Sequence, residues 1–316
     1  MSIQRSETIF LNGEWKPWDS ATVHVAAHGL HYGSCAFEGI RAYETPHGTS
    51  VFRLREHVER LVDSARILRM TPLDYSTDEL EQLCIEAVTR NGLDSCYIRP
   101  FFYRGAGALG LNPMDSPVEF ALFAVEWGRY LGAEAIEQGV DVAISSWRRF
   151  SPSTASPLGK IGGQYVTNSF VSIEARENGF AEGIMLDQDG MVCEGAGENI
   201  FIVLDGTLIT NHLASSILGG ITRDSVLQIA RDLDVPVSLQ PISRDMLYVC
   251  DEMFMTGTAA EVSPVRSVDR IAVGAGSRGP ITEALQTRFF DTVEGRAEDT
   301  HGWLTPVPKP APAAAT

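Results

Sequence analysis

The sequence predicts an α+β protein of two domains. Three observations point there. The chain has 316 residues, long enough for two domains or one large one. Its first part alternates strand and helix patterns in the order β-α-α-β-β. A second, longer run of strands and helices begins after a stretch at 127–137 that reads as a connector. The boundaries expected are 1–126 for a small N-terminal domain, 127–137 for the connector, 138–304 for a larger domain and 305–316 for a disordered tail.

The elements follow in order. Residues 7–11 and 14–16 flank Asn12-Gly13, a two-residue hairpin signal. Leu54, Val58, Leu61, Ala65 and Leu68 recur at helical spacing over 54–69. Ser76 and Glu79 make a capping box that starts a second helix, which runs to Asn91-Gly92. Residues 96–103 and 118–126 are β-branched and aromatic, and read as strands. Beyond the connector come a strand at 139–145, a Ser/Pro-rich loop at 151–157 and a helix at 163–177 stopped by Asn178-Gly179. Strands at 183–187 and 199–204 precede the turn Asp205-Gly206 and a strand to Thr210. A helix at 221–233, a strand at 252–256 and a helix at 281–293 complete the pattern. The Pro/Ala-rich end is of low complexity.

Bulk composition excludes several function classes. Hydrophobic residues make 44% and charged residues 21%, ordinary for a globular enzyme. The net charge of −16 disfavours nucleic acid and anionic membrane surfaces, which need basic patches. Five cysteines lie scattered with no paired spacing, which reads as reduced and cytosolic. No apolar run approaches the length of a membrane span. A soluble, cytoplasmic protein without nucleic-acid or membrane partners is expected.

Lysine is scarce. The chain has three: Lys16 in a polar turn, Lys309 in the Pro/Ala tail, and Lys160 in Ser156-Pro157-Leu158-Gly159-Lys160-Ile161-Gly162-Gly163-Gln164-Tyr165. A lysine amine can form a Schiff base once its pKa is lowered, whereas a guanidinium stays protonated. A coding bias toward arginine would also thin out lysines, so scarcity alone leaves Lys160 open.

Five further segments carry chemistry-bearing residues. Gly219-Gly220 leads into a helix at Ile221-Thr222-Arg223-Asp224, a place where unpaired N–H groups can hold a phosphate. The alternative is an ordinary loop with Thr222 as N-cap. Cys193-Glu194-Gly195-Ala196-Gly197-Glu198-Asn199 sets two carboxylates in a Gly-rich bend, able to face a cationic ring nitrogen or to be a solvated turn. Met255-Thr256-Gly257-Thr258-Ala259-Ala260-Glu261 is small-sided enough for close approach of a ligand, or for close packing. Tyr97 and Arg99 share one strand face and could grip a carboxylate, or form a surface stack. His28-Gly29-Leu30-His31 has a metal-like spacing, but no Cys or acidic ligand stands beside it, and no metal is expected.

Taken in order, these motifs resemble a known family. Phe37-Glu38-Gly39-Ile40-Arg41, Tyr97-Ile98-Arg99-Pro100, Lys160 with Gly162-Gly163-x-Tyr165, Glu194-Gly195-Ala196-Gly197-Glu198-Asn199, Gly220-Ile221-Thr222-Arg223 and Gly257-Thr258-Ala259-Ala260-Glu261 resemble the class IV (fold type IV) pyridoxal-phosphate aminotransferases. Within them the chain is most similar to bacterial branched-chain amino acid aminotransferases, over residues 6–304. The resemblance implies a two-domain fold like that of D-amino acid aminotransferases. A small N-terminal α/β domain stands beside a larger C-terminal domain with a β-barrel-like core.

It also implies roles. Lys160 would bind pyridoxal 5'-phosphate covalently and shuttle the substrate proton. Glu194 would pair with the pyridine nitrogen, and Glu198 would be structural. Tyr165 would bond the ring hydroxyl. Arg60, Leu218, Ile221, Thr222 and Thr258 would hold the rest of the cofactor, chiefly its phosphate. Tyr97, Thr258, Ala259 and Arg41 would take the substrate α-carboxylate. Phe37, Tyr32, Trp127 and Tyr130 would wall the side-chain pocket, and Arg99 would take the distal carboxylate of glutamate. Residues 105–113 fit the family's substrate loop loosely, and Gln164 and Thr167 vary the pattern near the lysine. The implied partners are amino acids and 2-oxo acids. The implied assembly is a homodimer or larger homo-oligomer, with Tyr32 and the 105–113 loop reaching the neighbour's site.

Three readings follow. One is transamination of leucine, isoleucine and valine with 2-oxoglutarate. Another is a relative on the same fold: an aminodeoxychorismate lyase, a D-amino acid aminotransferase or an amine transaminase. The last is a non-catalytic cofactor-binding protein, for which a broken lysine or carboxylate would be expected. Tyr97-x-Arg99 and Trp127-Gly128-x-Tyr130 favour the first.

Overall fold

The computed structural model describes residues 4–127 and 133–308. The chain forms two compact units. The first holds residues 4–127 and takes back two later pieces, Gly159–Gly163 and 292–308; the second holds the remaining described residues. A boundary drawn along the sequence does not anticipate either return, because both depend on pairing with strands far away in the chain.

The first unit is built on an antiparallel sheet. Its strands are β1 (Thr8–Leu11), β2 (Glu14–Pro17), β3 (Cys35–Phe37), β4 (Ile40–Thr45), β5 (Gly48–Phe52), β6 (Cys96–Arg104) and β7 (Val118–Glu126). The order is β5-β4-β6-β7-β1-β2, with β3 on β6 and the C-terminal strand Leu304–Pro306 on β5. Asn12 and Gly13 turn β1 into β2 with positive φ at both, as a two-residue hairpin requires. Strands β3, β4 and β5 were not expected. They are short, and Glu38, Arg41 and Glu44 interrupt the apolar alternation by which a strand is read. The tail expected to begin at 305 is ordered at its start: Leu304 to Pro306 pair with Phe52 to Ser50, and the Val307 N–H donates to Thr49.

The α-helices of this unit include α1 (His28–Tyr32), α2 (Leu54–Ile67) and α3 (Thr77–Arg90). Ser76 and Glu79 form the reciprocal capping box at the start of α3. Val58, Leu61 and Ala65 of α2 and Leu80, Cys84, Ala87 and Val88 of α3 form one core with Phe10, Ile40, Ile98, Phe102, Phe120 and Leu122 of the sheet. This apolar face fixes α2 over the sheet, so the polar residues between its core positions are held in place as well.

The second unit carries α4 (Ala133–Gln138), β8 (Val140–Arg148), α5 (Tyr165–Glu177), β9 (Glu182–Leu186), β10 (Met191–Gly195), β11 (Asn199–Leu204) and β12 (Thr207–Thr210). After these come α6 (Ile221–Asp232), β13 (Val237–Leu239), β14 (Ile242–Ser243), α7 (Met246–Val249), β15 (Glu252–Gly257), β16 (Glu261–Val268), β17 (Ile271–Ala272) and α8 (Pro280–Val293). The path β11-β15-β16-β8-β9-β10 closes on itself through the Glu194–Asn199 pairing of β10 with β11. Six strands therefore make a barrel-like ring, filled by Val142, Ile184, Leu186, Val192, Ile200, Ile202, Met253, Met255 and Val265. The ring closes at Glu194, which places a carboxylate on its seam. Among the described residues no helix is long and apolar enough to cross a membrane.

Candidate active site

In the first unit the residues that the sequence singles out gather around Lys160. The lysine segment lies along β3. The Phe37 N–H donates to the Lys160 carbonyl at 3.1 Å, Ala36 bridges to Ile161, and the Gly163 N–H donates to Gly33 at 3.0 Å. The approach is so close that a Cβ on Gly33 would lie 2.4 Å from the Gly163 Cα, and Gly33 also has φ +65. From α2, Ser64 accepts the Lys160 N–H at 3.0 Å. The lysine backbone is thus held from two sides, and its side chain runs over the Phe37 ring with Nζ 4.7 Å from the centroid.

A continuous wall follows. The Arg99 guanidinium also lies over the Phe37 ring, at 4.9 Å, and Arg99 Nη2 donates to the Tyr97 hydroxyl at 3.1 Å. Tyr97 stacks on Trp127 at 5.0 Å. Arg41 stands directly opposite Tyr97 in the β4–β6 pairing. Gly39 is required here, since a Cβ would fall 1.7 Å from the Tyr97 hydroxyl. Lysine, aromatic ring, arginine and phenol therefore succeed one another with apolar faces between the polar ends.

Behind this wall lies a buried charge network that the sequence reading did not isolate. Glu38 is 0% exposed. Its carboxylate accepts from His57 Nδ1 at 2.8 Å, from Arg60 Nε at 2.6 Å and Nη2 at 2.9 Å, and from the Gly39 N–H at 3.1 Å. Burial alone would raise its pKa, but Arg60 and His57 outweigh it and hold the carboxyl well below the usual carboxylate range. Burial pushes the His57 imidazole down, so the neutral ring donates to Glu38. Arg60, expected at a phosphate, thus spends one edge of its guanidinium on Glu38. Lys160 is partly exposed, yet loss of hydration lowers its pKa to about 8; Glu38 works against that shift and Arg60 with it. The signal for Glu38 lay within Phe37-Glu38-Gly39, and that for its partners in the spacing of His57, Arg60 and Ser64 on one helix face.

Tyr32 stands apart from the wall, with the 105–113 loop. Its hydroxyl donates to the Leu109 carbonyl at 3.1 Å and its ring packs 4.6 Å from His28. Tyr130 lies outside the described residues.

In the second unit Glu194 is tied to the segment that opens α6. Its Oε2 accepts from the Leu218 N–H at 2.9 Å and from Asn199 Nδ2 at 3.1 Å, and Oε1 pairs with Arg149 Nη2 at 2.7 Å. Both oxygens accept and Arg149 is cationic, a setting that suits the ionised carboxylate. Arg149 is held in turn by the Ser216 carbonyl and by Asn168. Asn199 also donates to the Leu218 carbonyl at 2.9 Å. One polar assembly therefore joins the carboxylate to the segment that opens α6. That helix starts at Ile221 with Gly220 as its N-cap, so Thr222 sits inside the first turn and is not the cap. A Cβ on Gly220 would meet Asn199 Oδ1 at 1.9 Å, whereas one on Gly219 would meet only Leu213 at 3.6 Å.

Glu198 turns onto the Gly197 N–H at 2.9 Å and closes the bend between β10 and β11. Thr258 and Ala259 lie in the short turn joining β15 to β16, where Gly257 pairs with Glu261. Tyr165 is the first residue of α5. Arg149 and Asn168 escaped the sequence reading because Arg149 reaches Glu194, and Asn168 reaches Arg149, from other elements; Asn199 stood in the quoted segment without a role.

Each unit thus holds a chemistry-bearing group, a buried carboxylate on the seam of the ring in one and a partly desolvated lysine beside β3 in the other. The chain belongs to the amino-transferase class IV family, which matches residues 35–268. It is similar to the branched-chain-amino-acid aminotransferase of Salmonella typhimurium, 47% identical over 308 residues that cover 97% of this chain and 99% of the relative. Among solved structures it is similar to the Escherichia coli branched-chain amino acid aminotransferase, with a TM-score of 0.94 and 48% identity over 96% of this chain and 100% of that one. The branched-chain amino acid aminotransferase of Thermobaculum terrenum, solved in its PLP-form (holo-form), matches at TM-score 0.90 and 32% identity, over 96% of this chain and 99% of that one.

Proposed function

We propose that this protein transfers amino groups between branched-chain L-amino acids and 2-oxoglutarate, giving branched 2-oxo acids and L-glutamate, with pyridoxal 5'-phosphate as cofactor. The observation that carries the reading is the Lys160 amine, lowered to about 8 and laid against Phe37 at the end of a wall that leads to Arg99 and Tyr97. With its pKa lowered to about 8, such an amine is free base in an appreciable fraction near neutral pH, as bonding to an aldehyde needs, and still basic enough to take up a proton.

The donor set fits the cofactor. Lys160 would bond its aldehyde, Glu194 its ring nitrogen, Tyr165 its ring hydroxyl, and Arg60, Leu218, Ile221, Thr222 and Thr258 its remaining polar groups. Two glycines before a twelve-residue helix suit a phosphate. Bound there, the cofactor supplies the electron sink that allows the substrate Cα to lose its proton. Lys160 takes that proton and returns it. Glu194, fixed by Arg149, keeps the ring nitrogen protonated. Tyr97 and Arg41, with Thr258 and Ala259, orient the α-carboxylate. Phe37, Trp127, Tyr32 and Tyr130 exclude water from an apolar side chain, and Arg99 takes the second carboxylate of glutamate. One pocket with a single arginine at its edge serves both leucine and glutamate. The working unit is a homodimer in which Tyr32 and the 105–113 loop serve the neighbour's site.

A donor panel tests the reading. Purified protein is given leucine, isoleucine, valine, D-alanine and a primary amine with 2-oxoglutarate, and glutamate is measured; in parallel it is given aminodeoxychorismate, and pyruvate is measured. The L-branched-chain donors should be fastest. Preference for D-alanine or the amine, or release of pyruvate from aminodeoxychorismate, would replace this reading by another on the same fold.

A further inference from the structure

Glu38 and His57 have no part in the mechanism above, yet Glu38 is tied to Lys160 through the same helix that carries Arg60. His57, Arg60 and Ser64 lie three and four residues apart on α2 and so face one way. Two of them hold the Glu38 carboxylate; the third holds the Lys160 N–H. Ser64 is itself fixed by donating to the Arg60 carbonyl at 2.8 Å. The next residue back, Phe37, binds the Lys160 carbonyl with its N–H and the lysine amine with its ring. Helix and strand thus clamp one anion and one lysine in a common frame.

We propose that Glu38 is a positioning residue for Lys160: its carboxylate, gripped by His57 and Arg60, supplies the negative charge that keeps the Lys160 amine basic enough to carry a proton at neutral pH. The inference rests on the transaminase reading, because it gives that proton its use. The charged and titratable groups facing Lys160 are Glu38, Arg60 of α2, and Tyr97 and Arg99 of β6. Two of these are arginines, and burial adds to their effect. All three lower the affinity of the amine for a proton. Glu38 and Tyr97 act the other way, and Glu38 acts more strongly. Glu56 faces His57 and also favours its charged form, but burial prevails and His57 stays a neutral donor. Without the Glu38 charge, Lys160 would face Arg60 uncompensated, and both changes push its proton off.

The test reads the protonation midpoint of Lys160 by NMR in the full-length protein carrying lysine labelled with 13C at its ε carbon. The chain has three lysines, so Lys16→Arg and Lys309→Arg assign the remaining signal. Spectra are taken without cofactor and with pyridoxamine 5'-phosphate, which leaves Lys160 unattached. Glu38→Gln should lower the midpoint by roughly one pH unit or more, and Glu38→Asp, which keeps the charge at a greater distance, by less. An unmoved midpoint in folded Glu38→Gln overturns the proposal, even where activity falls, since a structural role alone would do that. If Glu38→Gln does not fold, an unmoved midpoint in Glu38→Asp overturns it. Failure of pyridoxamine 5'-phosphate to bind, with the cofactor-free midpoint moving as expected, would count against the transaminase reading instead.

Discussion

Glu194 accepts from Leu218, Asn199 and Arg149, all donors. A glutamine there would set N–H against N–H in either orientation of its amide. Glu194→Gln should therefore leave the phosphate end bound but lower kcat on the order of a hundredfold, as for loss of one preorganised electrostatic partner. Glu198→Gln, at a carboxylate that closes the bend between β10 and β11, should cost far less; steady-state kinetics of the pair decide, and the opposite ranking would mean the two roles are exchanged. Arg99→Leu should raise KM for glutamate and 2-oxoglutarate while sparing leucine, which offers a guanidinium nothing to bind. A shielded charge-assisted pair is worth about 1.5–3 kcal/mol, or roughly ten- to a hundredfold in kcat/KM. Equal losses for both donors would make Arg99 a structural residue or a ligand of the shared α-carboxylate. At this scale the sequence singles out residues whose type or place is itself a signal, Lys160 by rarity and by the motif around it, Tyr97 and Arg99 by alternation, and these three lie along one wall. The sequence was not readable for Arg149, which reaches Glu194 from another element, or for Asn168, which holds Arg149 in place.

Elements show the same divide. Helices α2, α3, α5 and α6 are legible because each carries its own apolar period and its own start or stop signal, such as the Ser76–Glu79 box or Asn178-Gly179. Strand β10 is not. Its five residues end in Cys193-Glu194-Gly195 and run into a glycine-rich bend, so they read as loop, and only pairing with β9 and β11 makes them a strand. Strands β3 to β5 are hidden for a similar reason. Glu38 is buried just where an alternating pattern would want an apolar residue, and what allows it is His57 and Arg60 from another element. The start of α6 gives a prediction at this scale. Gly220→Ala would drive a methyl group into the Asn199 amide that ties Glu194 to Leu218. The helix should persist, since alanine favours it, while cofactor affinity falls about tenfold or more, by the measure of lost supporting hydrogen bonds around a bound group. Equilibrium dialysis against pyridoxal 5'-phosphate reads this. Unchanged affinity in a folded variant would show that the assembly does not hold the cofactor.

For the whole molecule, the two-unit division was foreseeable from length and pattern, but the two returns of the chain were not. Lys160 is sequence-adjacent to the second unit and yet pairs with β3 of the first. The proposed homodimer is tested by complementation. Lys160→Ala and Tyr32→Ala chains, each impaired, are mixed under conditions that exchange subunits. A shared site should regain activity in the heterodimer, where one site has both residues intact. No gain despite demonstrated exchange would show that Tyr32 serves its own chain's site. In the proposed reaction everything depends on Lys160 as the amine that carries the cofactor. Borohydride reduction of the purified holoenzyme, followed by digestion and mass spectrometry, tests that directly. The account predicts a phosphopyridoxyl group on the peptide containing Lys160 and loss of the long-wavelength absorbance in Lys160→Ala; a label on Lys16 or Lys309, or none on any lysine of a coloured protein, would contradict it.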